Sequence, residues 1–356
     1  MKQNGRVPLI RARGYGRLPQ ILEERAGEEA VLKALKGEGL PIAMRDLGGM
    51  PIPAHALVGL FARAGALAHE RTLGLQVGAR MSYSGYGPWA IQASSAATLG
   101  AAIQRLNRTS GQHQASGLRF TLEREGARWL WRIARPGFLA GSICYTDHEI
   151  VPMISFARLF LGSAWLPDWV EVDYPRDENA ALLERALGAP VLFGRRAVGL
   201  PFTRDQLHRN REESDSPEGA AVLPARNIYD DVLLPAAPEP VRSFSSIVAL
   251  RLIDGEHDLA GAARLAGIGT QGLQRQLRTA GYTYRDILEI ARRKRAVFLL
   301  TKTELAVSDI AVALGYEDHP NFTRAFVRWM ECSPSAFRQR HALARRQDDS
   351  RTGSGD

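Results

Sequence analysis

Cysteine is scarce here: only Cys144 and Cys332 occur, in different halves of the chain. A disulfide framework and a cysteine-rich zinc site are therefore both excluded, and the usage suits a reducing cytoplasm. No apolar run of about 18 residues is present, so no membrane span is expected. The stretch from Met1 to Leu18 carries Lys2, Arg6, Arg11, Arg13 and Arg17 with no apolar core after them, so it does not read as a secretory signal. Phosphate-binding glycine loops, metal-ligand clusters and nucleophile elbows are all missing. Cys144 and His148 stand four apart on an expected helix and invite a thiolate–imidazole reading, but they lack a third partner and an oxyanion feature. No catalytic residue, metal or cofactor is assigned, and the chain does not read as an enzyme. A DNA-repair enzyme built on a four-cysteine zinc site is ruled out by the same cysteine count.

What is present points elsewhere. At 356 residues the chain is too long for one typical core, so two domains are expected. The formal charge of +8 favours polyanionic partners such as nucleic acid. Helical spacing runs from Leu18 to Lys36 and from Pro53 to Arg80, where Leu57, Leu60, Phe61, Ala64 and Leu67 recur three and four apart. Met81–Pro88 is loop-like. Thr98 caps a helix carrying Leu99, Ile103 and Leu106 on one face. Leu118, Phe120 and Leu122, a turn at Glu125-Gly126, then Trp129, Trp131 and Ile133 make a β-hairpin pattern. Ile143–Phe160 reads as a helix, and Trp169–Tyr174 and Val198–Phe202 as strands.

These patterns give a flexible basic arm over 1–17, an α+β domain over 18–206, a polar and proline-rich linker over 207–240, an all-helical domain over 241–341 and a disordered tail over 342–356. In fold class this is an α+β N-terminal domain followed by an all-α C-terminal domain with two helix-turn-helix units joined by a linker helix. The aromatic residues of the front domain, Tyr83, Tyr86, Trp89, Trp129, Trp131, Tyr145 and Trp165, are candidates for a ligand pocket. Of these, Tyr83, Tyr86, Trp89, Trp131 and Tyr145 are taken as effector-binding candidates.

The last third carries the sharpest signal. Asp258 caps a helix through Leu265-Ala266 that stops at Gly267; a second helix runs from Thr270 to about Thr279. Leu273 and Leu277 share its inner face, leaving Gln271, Gln274, Arg275 and Arg278 outward. Gln and Arg make paired hydrogen bonds to adenine and guanine edges. A connecting helix over Tyr284–Leu300 spans roughly 25 Å, and its Arg292-Arg293-Lys294-Arg295 run suits phosphates or a solvated face. In the second unit Ser308 is the expected N-cap of Asp309–Leu314, and Gly315 makes the turn. Tyr316 fills the space between helices, and His319 or Pro320 opens the next one. That helix turns Phe322, Phe326 and Trp329 inward and Asn321, Thr323, Arg324 and Arg328 outward.

At these residues the chain resembles the AraC/XylS family of bacterial transcription regulators. The matching pieces are Gly267-Ile268, Leu273–Leu277, Gly281, Arg292, Leu299-Leu300, Asp309-Ile310-Ala311, Leu314-Gly315-Tyr316, Phe322–Phe326, Trp329 and Ser333-Pro334. The resemblance places the family's DNA contacts on Gln271, Gln274 and Arg275, then on His319, Asn321, Thr323 and Arg324. Three positions depart from the family pattern: Gly269 replaces a capping serine, Gly272 lies inside the first reading helix, and Glu331 replaces a glycine. The front domain is similar to the family's arabinose-binding-type, non-cupin effector domain through Gly74–Arg80, Gly85-Tyr86-Gly87 and Leu187–Phe193. The resemblance implies a transcription regulator, cytoplasmic and nucleoid-associated. Its expected partners are double-stranded promoter DNA, a small-molecule effector, a second copy in a homodimer, and RNA polymerase as a candidate. A constitutive or architectural DNA binder, whose front domain only dimerises, stays open as the alternative.

Overall fold

The computed structural model describes residues 7–46, 49–113, 117–139, 141–211 and 239–342. It divides into two compact units, one within residues 8–226 and one drawn mainly from 227 onward. The expected arm at 1–6, the linker at 212–238 and the tail at 343–356 lie outside the described residues.

The front unit is mixed α and β. Its elements are β1 (Leu9–Arg11), α1 (Leu18–Ala26), α2 (Glu28–Gly37), β2 (Pro51–Pro53), α3 (Ala54–Ala68), α4 (Leu73–Ala79), α5 (Pro88–Ser94) and α6 (Leu99–His113). They continue with β3 (Arg119–Glu125), β4 (Arg128–Ala134), α7 (Ile143–Leu161), β5 (Val170–Glu171), α8 (Ala180–Leu187), β6 (Val191–Leu192), β7 (Val198–Phe202) and α9 (Arg204–Leu207). The main sheet has the order β3-β4-β7-β5-β6, antiparallel except for the β5–β6 pair. The β3–β4 hairpin closes Glu125 against Arg128, with Gly126 at φ +59°, as a tight two-residue turn requires. β4 alternation puts Trp131 and Ile133 into the core with Ile150, Met153, Phe156 and Phe160 of α7.

Helices α4 and α7 pack closely because Gly74 and Gly78, one turn apart, leave room for backbone. A Cβ at Gly74 would lie 2.1 Å from the Cys144 carbonyl oxygen, and one at Gly78 would lie 2.6 Å from that of His148. α7 also buries charge. Asp147 takes Arg71 at 2.5 Å and the Tyr174 hydroxyl at 2.6 Å; Arg71 also holds Asp177 at 2.8 Å. Buried ions of this kind need such partners, since removing one leaves the other stranded.

Two boundaries differ from the sequence expectation. Residues 9–15, expected in the basic arm, form β1 and a 3-10 turn over Ala12–Tyr15, and Ile10, Ala12 and Tyr15 are buried. Pairing of β1 with β2 satisfies their backbone, which a free arm would leave to water. Residues 207–211, expected in the linker, stay with the front unit: α9 is held by a capping box between Thr203 and Gln206, and Asn210 bridges Thr98. Trp169–Tyr174, expected as one strand, is regular strand only over β5, while backbone bonds of Val172 to Leu192 and Arg195 and of Tyr174 to Gly194 carry the pairing further.

The second unit is all helical among its described residues: α10 (Val241–Arg251), α11 (Leu259–Leu265), α12 (Thr270–Thr279), α13 (Tyr284–Lys302), α14 (Val307–Ala313) and α15 (His319–Met330). A further helical stretch covers residues 334–342. α13 packs on α10, α14 and α15, so it is the spine of the unit. At 1.5 Å per residue it is about 28 Å long.

Candidate DNA-reading surface and effector cavity

The first helix pair is built by caps and turns. The Asp258 carboxylate accepts from the Gly261 amide at 2.6 Å, and Arg251 holds its other oxygen at 2.7 Å. The Arg251 hydrogen bond and the Gly261 amide together hold this carboxyl below its usual range. Gly267 turns the chain at φ +70°, and the Ile268 amide donates to Ala263 at 3.0 Å. Leu273 and Leu277 anchor α12 in the core, leaving Gln271, Arg275 and Arg278 exposed and Gln274 half-buried. Gly269 occupies the α12 cap without a side-chain bond.

The second pair is tied to α13. Arg292 does not face outward: its guanidinium donates to the carbonyls of Leu314 and Gly315, each at 2.8 Å, and lies 4.5 Å from the Tyr316 ring centre. Arg292 therefore clamps the turn rather than offering its charge to phosphate. Asp318 caps α15 by accepting from the Asn321 amide at 2.6 Å. From there a polar chain runs along the outer face: Asn321 Nδ2 to Asp318 at 2.8 Å, and Arg324 to Asn321 Oδ1 at 2.6 Å. Phe322 and Phe326 are fully buried. Arg328 and the Trp329 indole N–H both donate to Glu289, at 2.7 and 3.1 Å. Burial raises the Glu289 carboxyl, but these two bonds and the Arg328 charge outweigh it and hold it below the usual range.

In the front unit a cavity of about 60 Å³ opens under α5 and α7. Tyr83, Tyr86, Trp89, Trp131 and Tyr145 all line it, together with Phe120, Met153, Phe156, His148 and Glu149. The rings meet edge-on or tilted: Tyr83 with Phe156 at 5.9 Å, Trp89 with Phe120 at 5.8 Å, Trp131 with Phe156 at 5.8 Å. The Trp89 indole N–H is held by Thr109 at 2.9 Å. Glu149 pairs with Arg135, which also bonds Asp173 at 2.6 Å and lies 5.0 Å from the Tyr145 ring centre. Burial pushes the Glu149 carboxyl above its ordinary range despite Arg135.

Just over half of the chain, residues 30–210, matches the family described as the arabinose-binding domain of AraC transcription regulators, N-terminal; residues 262–340 match a helix-turn-helix domain family. The chain belongs to the AraC family of transcription regulators. Among curated relatives, the ornithine utilization regulator of Pseudomonas aeruginosa is 27% identical over 281 residues, which is 78% of this chain and 81% of that protein. The HTH-type transcriptional regulator VirS of Mycobacterium tuberculosis is 24% identical over 255 residues, 71% of this chain and 74% of its own length. The crystal structure of the transcriptional regulator CdpR from Pseudomonas aeruginosa is 20% identical over 87% of this chain and 97% of that one, with a TM-score of 0.38.

Within this AraC-family frame, several side chains sit otherwise than their sequence suggests. Ser308 does not cap α14: the helix starts two residues earlier than expected, at Val307 behind Ala306, and the Ser308 hydroxyl instead lies 3.4 Å from Asp309. Thr323 is half-buried, and its hydroxyl is shielded from solvent without a hydrogen-bond partner. Trp329 is half-buried. His319 is exposed at the first position of α15. Trp129 and Trp165 stay out of the cavity, Trp165 stacking on Phe202 at 5.4 Å. Burial and the Asp147 charge push the Cys144 thiol up to about 12, and burial pulls His148 down to about 3. Both groups are therefore held neutral, the reverse of a thiolate–imidazolium pair. His148 Nδ1 is engaged by the Tyr145 carbonyl at 2.5 Å. The charged residue of the cavity wall that sequence reading did not single out is Glu149. Its signal was the polar run Thr146–Glu149 inside an otherwise apolar helix.

Proposed function

We propose that this AraC-family regulator reads promoter DNA in a sequence-specific way through α12 and α15, and that a small-molecule effector in the front cavity sets its activity. The observation that carries the first half is the polar outer face of each helix, set on a buried apolar base of Leu273 and Leu277 in α12 and of Phe322 and Phe326 in α15. In this reading Gln271, Gln274 and Arg275 address base edges from α12, and His319, Asn321 and Arg324 do so from α15. Arg278 meets the phosphate backbone, and Arg328 does so once it leaves Glu289. Thr323, buried at its hydroxyl, contributes shape rather than a hydrogen bond. The cavity supports the second half, since five aromatic residues drawn from three separate segments converge on it. The effector shifts an equilibrium between states by no more than its difference in affinity for them. A homodimer on DNA, contact with RNA polymerase and a cytoplasmic location complete the reading.

Fluorescence anisotropy with retained genomic fragments tests the DNA half. Arg275→Ala should change sequence preference, whereas Arg278→Ala should weaken all sites alike and reduce the salt slope by about one. Equal behaviour of the two variants would count against it. A cavity-filling change, Ala90→Leu, tests the effector half. A metabolite that stabilises the native protein in a thermal-shift screen should lose that effect on the variant, and equal stabilisation of both would remove the cavity from the account.

A further inference from the structure

We infer that the effector cavity takes a small organic cation, an ammonium head group held among aromatic rings beside the Glu149 carboxylate. This rests on reading the cavity as the effector site and names the chemistry of its ligand.

Three observations converge. The first is charge. Arg135 is the guanidinium shared by two carboxylates, Glu149 and Asp173, and the three side chains are 1%, 6% and 5% exposed. One guanidinium therefore faces two carboxyl groups out of reach of water, and burial favours a proton on Glu149 until a second cation displaces it. Asp173 is further settled by the Thr146 hydroxyl at 2.7 Å, which leaves Glu149, on the cavity wall, as the side where a second cation is wanted. His148, the other ionisable ring in the wall, is held neutral by burial and supplies no positive charge.

The second observation is the wall itself. Tyr83, Tyr86, Trp89, Phe120, Trp131 and Phe156 line the space. Aromatic faces attract cations through their quadrupole, most strongly where water is excluded. A carboxylate ligand would add a third anionic group beside Asp173 and Glu149, and a neutral one could not displace the Glu149 proton.

The third is size. A buried water needs about 10–15 Å³ on the measure that gives this cavity its roughly 60 Å³. That leaves room for a few water-sized groups, the scale of a small ammonium head. A bound cation also lowers the proton affinity of Glu149. The groups facing this carboxyl are Arg135, Asp173, Tyr145, Tyr86 and His148. Because burial raises its free-state value, binding releases a proton and tightens as pH rises through that value.

Calorimetry on the full-length protein decides the matter, with tetramethylammonium, n-butylammonium, tert-butanol and pivalate as probes. At least one cation should bind about tenfold or more tightly than tert-butanol. Pivalate should not bind, and the cation heat in two buffers of different ionisation enthalpy should report proton release. Glu149→Gln should bring the cation and tert-butanol affinities to within about twofold of each other. Phe120→Leu leaves the charge cluster in place and should weaken the cations several-fold. Should Glu149→Gln fail to fold, the native ratio, the proton release and Phe120→Leu decide alone. Tert-butanol or pivalate matching the cations, no binding by any probe, or an unchanged ratio in Glu149→Gln overturns the inference. Each of those results leaves the cavity itself standing, because its own test is the Ala90→Leu screen.

Discussion

Gly272 lies at the third position of α12, between exposed Gln271 and buried Leu273, with an ordinary helical backbone. A Cβ built there meets nothing within 4 Å, so alanine adds no overpacking. The gain in Gly272→Ala is therefore the helix-propensity difference alone, about 0.8–1.0 kcal/mol. That corresponds to about fivefold less local opening of α12. Amide hydrogen exchange on the full-length protein reads this directly: amides from Leu273 to Thr279 should slow about fivefold, while those of the front unit stay unchanged. DNA affinity should rise by no more than the same factor, since only the ordering cost of the reading helix is relieved. Unchanged or faster exchange in α12, or an equal slowing throughout the chain, would refute the reasoning.

Other expectations follow from the same geometry. Gly78→Ala forces a methyl to 2.6 Å from the His148 carbonyl oxygen, which should cost about 1–3 kcal/mol and lower the thermal midpoint of the front unit. Glu331 ends α15 at φ +58°, where the family usually has glycine; Glu331→Gly should stabilise the second unit by about 1 kcal/mol in urea denaturation. Asp258→Ala should cost about 1 kcal/mol by removing the α11 cap. Because the folded-state value of Asp258 lies below its unfolded one, its contribution is present above about pH 4 and lost as pH falls through the folded value. The variant should therefore show a flatter acid limb than the native protein in denaturation measured at falling pH.

Much of this was legible in the chain because local rules governed it. Leu273 and Leu277, Phe322 and Phe326 announce buried helix faces by spacing alone, and Asp258 announces its cap. The α12 bounds and the α7 helix follow from period and punctuation. Long-range partners were not legible. Arg292 looks like any basic residue until Leu314 and Gly315 present it with two carbonyls from 22 and 23 residues away. Ser308 reads as the cap of α14, but that helix begins at Val307, whereas Asp318 caps α15. The five cavity aromatics were recognisable as candidates by type, but Glu149 was hidden because its partner Arg135 lies outside its own helix. Residues 9–15 read as an arm because the β2 strand that pairs with them is only three residues long and rich in proline.

The account rests on α12 and α15 entering successive major grooves of one duplex. Ethylation and base-modification interference on a retained promoter fragment measures this with the native protein, Arg275→Ala and Arg324→Ala. Two protected patches about one helical turn apart are expected, with Arg275→Ala erasing one and Arg324→Ala the other. A single patch, or both variants erasing the same one, would contradict it.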